Sequence, residues 1–156
     1  MKKLVLAVFI MATVGLFALD ADSVIGKWLT DGGKSVIEIS KDKDVYAGKM
    51  IWLKIPVYPE GDENAGKEKM DINNPDEKLR SNKLKGITLL WGFKFKKGKW
   101  VGGRIYDPEN GKTYFCKIKM DKNNNLVIKG SIDKWGLVGR STVWTHIRKE
   151  DEKSYQ

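Results

Sequence analysis

Hydrophobic and polar positions alternate along most of this chain, and the alternation has a period of two. Residues 24–30 begin it, with Gly26 and Trp28 on one face of a strand and Lys27 on the other. A turn at Asp31-Gly32-Gly33 leads to a second run at 34–40, and Lys41-Asp42-Lys43-Asp44 turns into a third at 45–53. That third run places Tyr46, Gly48, Met50 and Trp52 together. From Gly86 onward Ile87, Leu89, Trp91, Phe93 and Phe95 share a face. The runs 100–106 and 112–120 flank Asp107-Pro108-Glu109-Asn110-Gly111. This reads as a β-hairpin: Pro108 presets φ for a type I turn, and Asn110-Gly111 tolerates positive φ. In its return strand Tyr114, Cys116, Ile118 and Met120 face one way. Runs at 126–133 and 138–148 complete the series. The pattern predicts an all-β domain of roughly eight strands joined mostly by short turns, which is an antiparallel meander. Closure into an up-and-down barrel removes exposed edges, and a two-sheet sandwich is the alternative.

Two segments depart from the pattern. Residues 54–85 carry Pro56, Pro59, Gly61, Gly66 and Pro75 with little periodicity. A connection of that length is usually functional or mobile, and Asn74 or Asp76 is placed to cap a short helical turn in it. The other segment is the N-terminus. Met1-Lys2-Lys3 precedes an apolar run from Leu4 to Leu19, interrupted only by Thr13. At 16 residues that run is shorter than the ~20 needed to span a bilayer, and Asp20 and Asp22 follow it. The layout is that of a cleaved signal peptide over 1–19. It implies a β-domain at 20–149 with the long loop 54–85, a polar tail at 150–156, and a periplasmic or secreted location.

Composition narrows the picture. Of 156 residues 41% are hydrophobic, enough for one core, and the net charge is +9. Cleavage after Ala18 would remove Lys2 and Lys3 and leave 27 basic against 20 acidic residues, or +7. The lysines are scattered over predicted outer faces. A solvated exterior explains them, and an anionic envelope surface is the candidate partner; nucleic acid does not suit an exported protein. Cys116 is the one cysteine, so no internal disulfide staples the fold, and a buried apolar role is expected for it.

Several of these residues carry a likeness. Gly26-x-Trp28 resembles the opening of lipocalins and other calycins. Asp71 with Asn74-Pro75, Leu79-Arg80, Leu84-x-Gly86, Gly92-Phe93, the run from Trp100 to Tyr114, and Gly139-Arg140 with Trp144-Thr145 resemble the bacterial exported domain-of-unknown-function family 2147. The resemblance implies a lipocalin-like barrel in the periplasm and no established activity. It also implies structural roles for Gly26, Trp28 and either Arg140 or Arg148, because in such barrels a basic residue of the last strand stacks across the first-strand tryptophan.

Catalytic chemistry is not legible. His146 is the one histidine and Cys116 lies on a different strand, so no nucleophile–base pair is indicated and no catalytic residue is assigned. Two such residues are too few for a zinc site. Asp121-x-Asn123-x-Asn125 lacks the central glycine and distal glutamate of a calcium loop and reads as a turn. No metal and no cofactor is indicated. Asp71 and Asp107 are carboxylates with no partner visible along the chain. Two functions remain. One is a carrier of a small apolar or fatty-acid-like ligand, contacted by Trp52, Trp91, Phe93, Trp100, Arg104, Tyr106 and Tyr114. An inward Arg104 would meet an acidic headgroup, and the pattern leaves its direction open. The other is a filled barrel that works through its exterior or its long loop as an interaction module. The sequence does not indicate an oligomeric state.

Overall fold

The computed structural model describes residues 19–156; the segment expected from the sequence to be a signal peptide lies, up to Ala18, outside the described residues. The strands are β1 (Gly26–Leu29), β2 (Ser35–Asp42), β3 (Val45–Leu53), β4 (Thr88–Lys96), β5 (Lys99–Asp107), β6 (Lys112–Met120), β7 (Leu126–Ser131) and β8 (Gly139–His146). Each pairs with its neighbour in sequence, and β8 returns to β1 through Trp28 opposite His146. The result is a closed eight-stranded antiparallel barrel. Period-two patterning with short turns explains it: each hairpin forms locally, and closure pairs the last two edges.

A meander sends alternate connections to opposite ends. The short hairpins β2–β3, β4–β5 and β6–β7 lie at one end, the floor. The turn 30–34, the connection 54–87, the hairpin turn 108–111 and the loop 132–138 lie at the other, the mouth.

The floor is plugged. Ala21–Val24 forms a 3-10 turn capped by the Asp20 carboxylate and lays Val24 into the core. Trp28 Nε1 donates to the Val24 carbonyl at 2.8 Å, and Trp100 Nε1 donates to the Ala21 carbonyl at 2.9 Å. The Asp22 carboxylate accepts from Lys41 Nζ and from the Tyr46 hydroxyl, both at 2.7 Å, and these bonds hold it below the usual carboxylate range. Above the plug Trp28, Ile37, Phe93, Trp100, Ile118 and Leu126 fill the barrel's lower half. Cys116 is buried there, and burial pushes its thiol up to about 12, so it stays protonated, as an apolar side chain should.

Two expectations about facing are corrected by β-bulges, and a third residue whose direction was open is settled by one. Trp52 was placed with Met50, but β3 carries one extra residue where Val36 and Ile37 of β2 pair with Trp52 and Met50. Trp52 therefore leaves the interior face and meets Tyr155 edge-on, with ring centroids 5.1 Å apart. Trp91 was placed with Phe93, but Gly92 has φ +78° and the β3–β4 register slips beside it. Phe93 stays buried, and Trp91 points outward at 37% exposure. Gly102, at φ +77°, makes the corresponding bulge in β5. Arg104, past that bulge, lies outside the barrel. A bulge changes the phase of everything beyond it, so strict alternation misplaces these side chains.

The basic stack on Trp28 is also corrected. Its neighbour across the strand pair is His146, edge-on at 4.9 Å between ring centroids. Arg148 instead pairs with Glu150 and Asp151, and Arg140 sits near the mouth. The polar tail forms a 3-10 helix, Lys149–Tyr155, tied back through Lys27 and Glu152.

Candidate functional site

The connection 54–87 is strapped across the mouth. Val57 bridges to Glu68, Met70 bridges to Lys83, and the 3-10 turn Glu77–Leu79 is capped by the Asp76 side chain. The strap is anchored at two points. Asn73 Nδ2 donates to the carbonyls of Pro108 and Glu109 at 3.0 and 3.1 Å, on the tip of the β5–β6 hairpin. Asp71 is buried and accepts from the Tyr106 hydroxyl at 2.6 Å and from Asn74 Nδ2 at 2.7 Å. Burial, then the bond to Asp71, raises the Tyr106 phenol above its ordinary range, so it remains the donor. Asp71 and Tyr106 therefore act as a latch for the strap.

Tyr106→Phe will leave the buried Asp71 carboxylate with Asn74 as its one remaining side-chain partner. Loss of a buried hydrogen bond to a charged group costs about 1.5–3 kcal/mol. Hydrogen exchange should accelerate at 71–74, while the barrel strands β6–β8 keep their protection. Uniform loss of protection would mean the latch is not local.

Between the strap and the filled floor lies open space. One cleft of about 660 Å³ runs along the inner side of β5–β8 and is walled by Ile105, Tyr114, Ile128 and Thr142, with Arg140 among its lining residues. Gly130 keeps this wall low: a Cβ there would already touch Ile105 and Tyr114. A second cleft of about 700 Å³, under the strap, is walled by Met50, Leu53, Leu84, Leu89 and Trp144. The two share Asp107, Pro108 and Thr142. Asp107 is committed to the turn, accepting from Glu109 N–H at 2.9 Å and from Asn110 Nδ2 at 2.9 Å. Arg140 has no carboxylate within 4.0 Å among the described residues. The mouth thus combines apolar walls with an arginine that has no ion-pair partner within 4.0 Å among the described residues.

The seven proposed ligand contacts separate. Tyr114 lines the first cleft, and its hydroxyl accepts from Asn110 Nδ2 at 3.1 Å. Tyr106 borders the same cleft while bonded to Asp71. Phe93 and Trp100 are buried in the floor. Trp52 is outside, against Tyr155. Trp91 borders a third, external cleft of about 620 Å³ beneath Pro75 and Leu79 of the strap. Arg104 stacks over the outer face of Phe115 at 3.9 Å. Arg140 was read as a structural residue and missed as a cleft residue. The one available signal was its even spacing on β8, two residues from Thr142 and four from Trp144. Among the described residues no group of three or more His, Cys, Asp or Glu is placed to hold a metal ion.

A closed eight-stranded meander with a tryptophan-sealed floor and an open mouth is a lipocalin-like barrel. The family described as "Uncharacterized protein conserved in bacteria (DUF2147)" matches residues 26–146, all of the barrel, and the chain belongs to it. The solved structure of protein HP1028 from the human pathogen Helicobacter pylori, described as belonging to the lipocalin family, is similar to this chain. It shares 27% identity and a TM-score of 0.70 over 87% of this chain and 88% of that one. No curated protein matches the chain.

Proposed function

We propose that this protein is an exported carrier of a small amphipathic ligand with an anionic head. The single observation that supports this most is Arg140, with no carboxylate within 4.0 Å among the described residues, at a mouth cleft walled by Ile105, Tyr114 and Ile128. A cleft of about 660 Å³ falls within the ~300–1,000 Å³ range of small-molecule sites. The filled floor ends the cavity, so a chain would enter tail first and leave its head near Arg140. A carboxylate or phosphate there would gain charge-assisted hydrogen bonds from the guanidinium. The fold shared with the lipocalin-family neighbour suits a carrier, and neither that neighbour's description nor the family's names a ligand.

Native mass spectrometry of freshly purified protein should show a co-purified lipid-like mass. Displacement of a fluorescent fatty acid should be weakened about 10-fold or more by Arg140→Gln, the loss expected for one charge-assisted bond. The matching methyl ester should bind both forms equally. Equal affinity of both forms for the free acid would remove Arg140 from the site.

A further inference from the structure

The β7–β8 loop leaves the barrel at its mouth, lies against Lys117 on the outer side of β6, and is apolar where a loop should be polar. Ile132 is 67% exposed, Trp135 68%, Leu137 81% and Val138 59%. Four large apolar side chains are exposed within seven residues, a concentration that points to a contact surface. Loops of soluble domains rarely leave such groups in water without use.

The loop is built to hold them there. The Asp133 carboxylate accepts three backbone N–H bonds, from Val138 at 2.7 Å, Trp135 at 2.9 Å and Leu137 at 3.0 Å. Lys117 Nζ donates to the Trp135 carbonyl at 3.1 Å, and Ile132 N–H closes the base on the Val138 carbonyl at 3.0 Å. At the foot of the loop a Cβ on Gly139 would lie 2.1 Å from the Gly130 carbonyl, so the two strands enter it pinched together. A flexible loop could fold its apolar groups down onto the barrel. This one is braced with them outward.

Its surroundings are cationic. Lys134 Nζ stands 4.8 Å over the Trp135 ring, Lys117 lies against the loop, and Lys129 is paired opposite Lys117 on the adjacent strand. The one carboxylate in the loop, Asp133, is taken up by its backbone bonds. Tryptophan and leucine at a tip collared by lysines match a bilayer with anionic headgroups: the rings enter the interfacial layer while the ammonium groups meet phosphate. A protein partner would be expected to offer acidic groups to the same collar, but a convex tip of single projecting side chains needs a pocket on that partner. A bilayer needs none.

We propose that residues 132–138 are a membrane-docking tip that seats the barrel mouth against an anionic phospholipid surface. Ile132 and Val138 also border the Arg140 cleft, so docking would bring that cleft to the lipid. The inference goes beyond the carrier reading and does not require the cleft to be occupied.

The test uses the full chain and vesicles of phosphatidylcholine with phosphatidylglycerol, in which the acyl chains are brominated to quench tryptophan at bilayer depth. The wild type should be quenched. Trp135→Phe should lose most of that quenching, because its five remaining tryptophans sit on the barrel body. This readout reports the loop itself, whatever the N-terminal leader does. Leu137→Asp should weaken vesicle binding at least about tenfold, the equivalent of losing one buried leucine. Leu137 is largely in water, so the fold should survive, checked by an unchanged melting temperature. Omitting phosphatidylglycerol or raising salt should weaken binding as well. Absence of quenching in the wild type, or quenching of Trp135→Phe as strong as the wild type's, would overturn the proposal. So would tryptophan quenching indifferent to Leu137→Asp. A fatty-acid displacement assay on the same variants reads the carrier function separately.

Discussion

Trp28→Ala will lower the stability of the barrel by about 3–5 kcal/mol, the range for emptying a large aromatic site in a core. For a domain of this size each kcal/mol shifts the melting temperature by roughly 2–4 °C, so a fall on the order of 10 °C is expected. This one side chain holds three roles. Trp28 fills the floor beside Ile37 and Leu126, it presents its ring to His146 across the β1–β8 seam, and its indole N–H bonds to the Val24 carbonyl in the plug. The seam carries few paired residues, Trp28 with His146 and Leu29 with Thr145, so closure leans on packing there. Trp28→Phe should recover part of the loss, because it restores ring volume without the N–H. Thermal unfolding of the three proteins checks this. An unchanged midpoint for the alanine variant would show that the barrel does not depend on its floor.

Gly103→Ala, a change of one methyl group, will destabilise the protein by about 1–3 kcal/mol through overpacking. Gly103 is not among the positive-φ glycines, so the backbone itself would accept alanine. Space is what is missing. A Cβ there would lie 2.5 Å from three carbons of the Phe93 ring, and that ring is buried with nowhere to move. The expectation becomes specific in a double-mutant cycle. Phe93→Leu alone should cost stability by leaving a void. Combined with Gly103→Ala, the new methyl group should occupy part of that void, and the pair should cost less than the sum. Coupling of about 0.5–3 kcal/mol is usual for residues in contact. Denaturant unfolding of the four proteins measures it. Strict additivity would mean that Gly103 and Phe93 are not packed face to face.

Both expectations draw on the same feature: the lower barrel is packed solid and the upper barrel is open. That division also shapes the carrier reading. Most of the aromatic residues nominated from the sequence as ligand contacts turned out to be floor or exterior. Phe93 and Trp100 seal the cavity from below, Trp52 braces the C-terminal helix, and Trp91 lies under the strap outside the wall. Aromatic side chains are large wherever they point, so their presence on a strand says little about which side of a barrel wall they occupy.

Local chemistry was sufficient for the rest of the framework. Period-two alternation, glycine-bearing turns and the Asp107–Gly111 hairpin signal indicated roughly eight strands paired in sequence order, because all but one of the connections are short; closure into a barrel and not a sandwich was decided by the pairing of β8 with β1. Gly26-x-Trp28 likewise announced the floor. What tertiary structure alone decided is the facing of residues beyond each bulge. The extra residue in β3 and the bulge at Gly92 reverse which way Trp52 and Trp91 point, the bulge at Gly102 settles the direction of Arg104, and whether a glycine starts a bulge depends on the register of the neighbouring strand. The same holds for Arg140 at the mouth, the Asp71–Tyr106 latch across 35 residues, and the exposed tip at 132–138. Each joins groups that are distant along the chain or depends on what fails to cover them, and a pattern of neighbours in sequence carries neither kind of information.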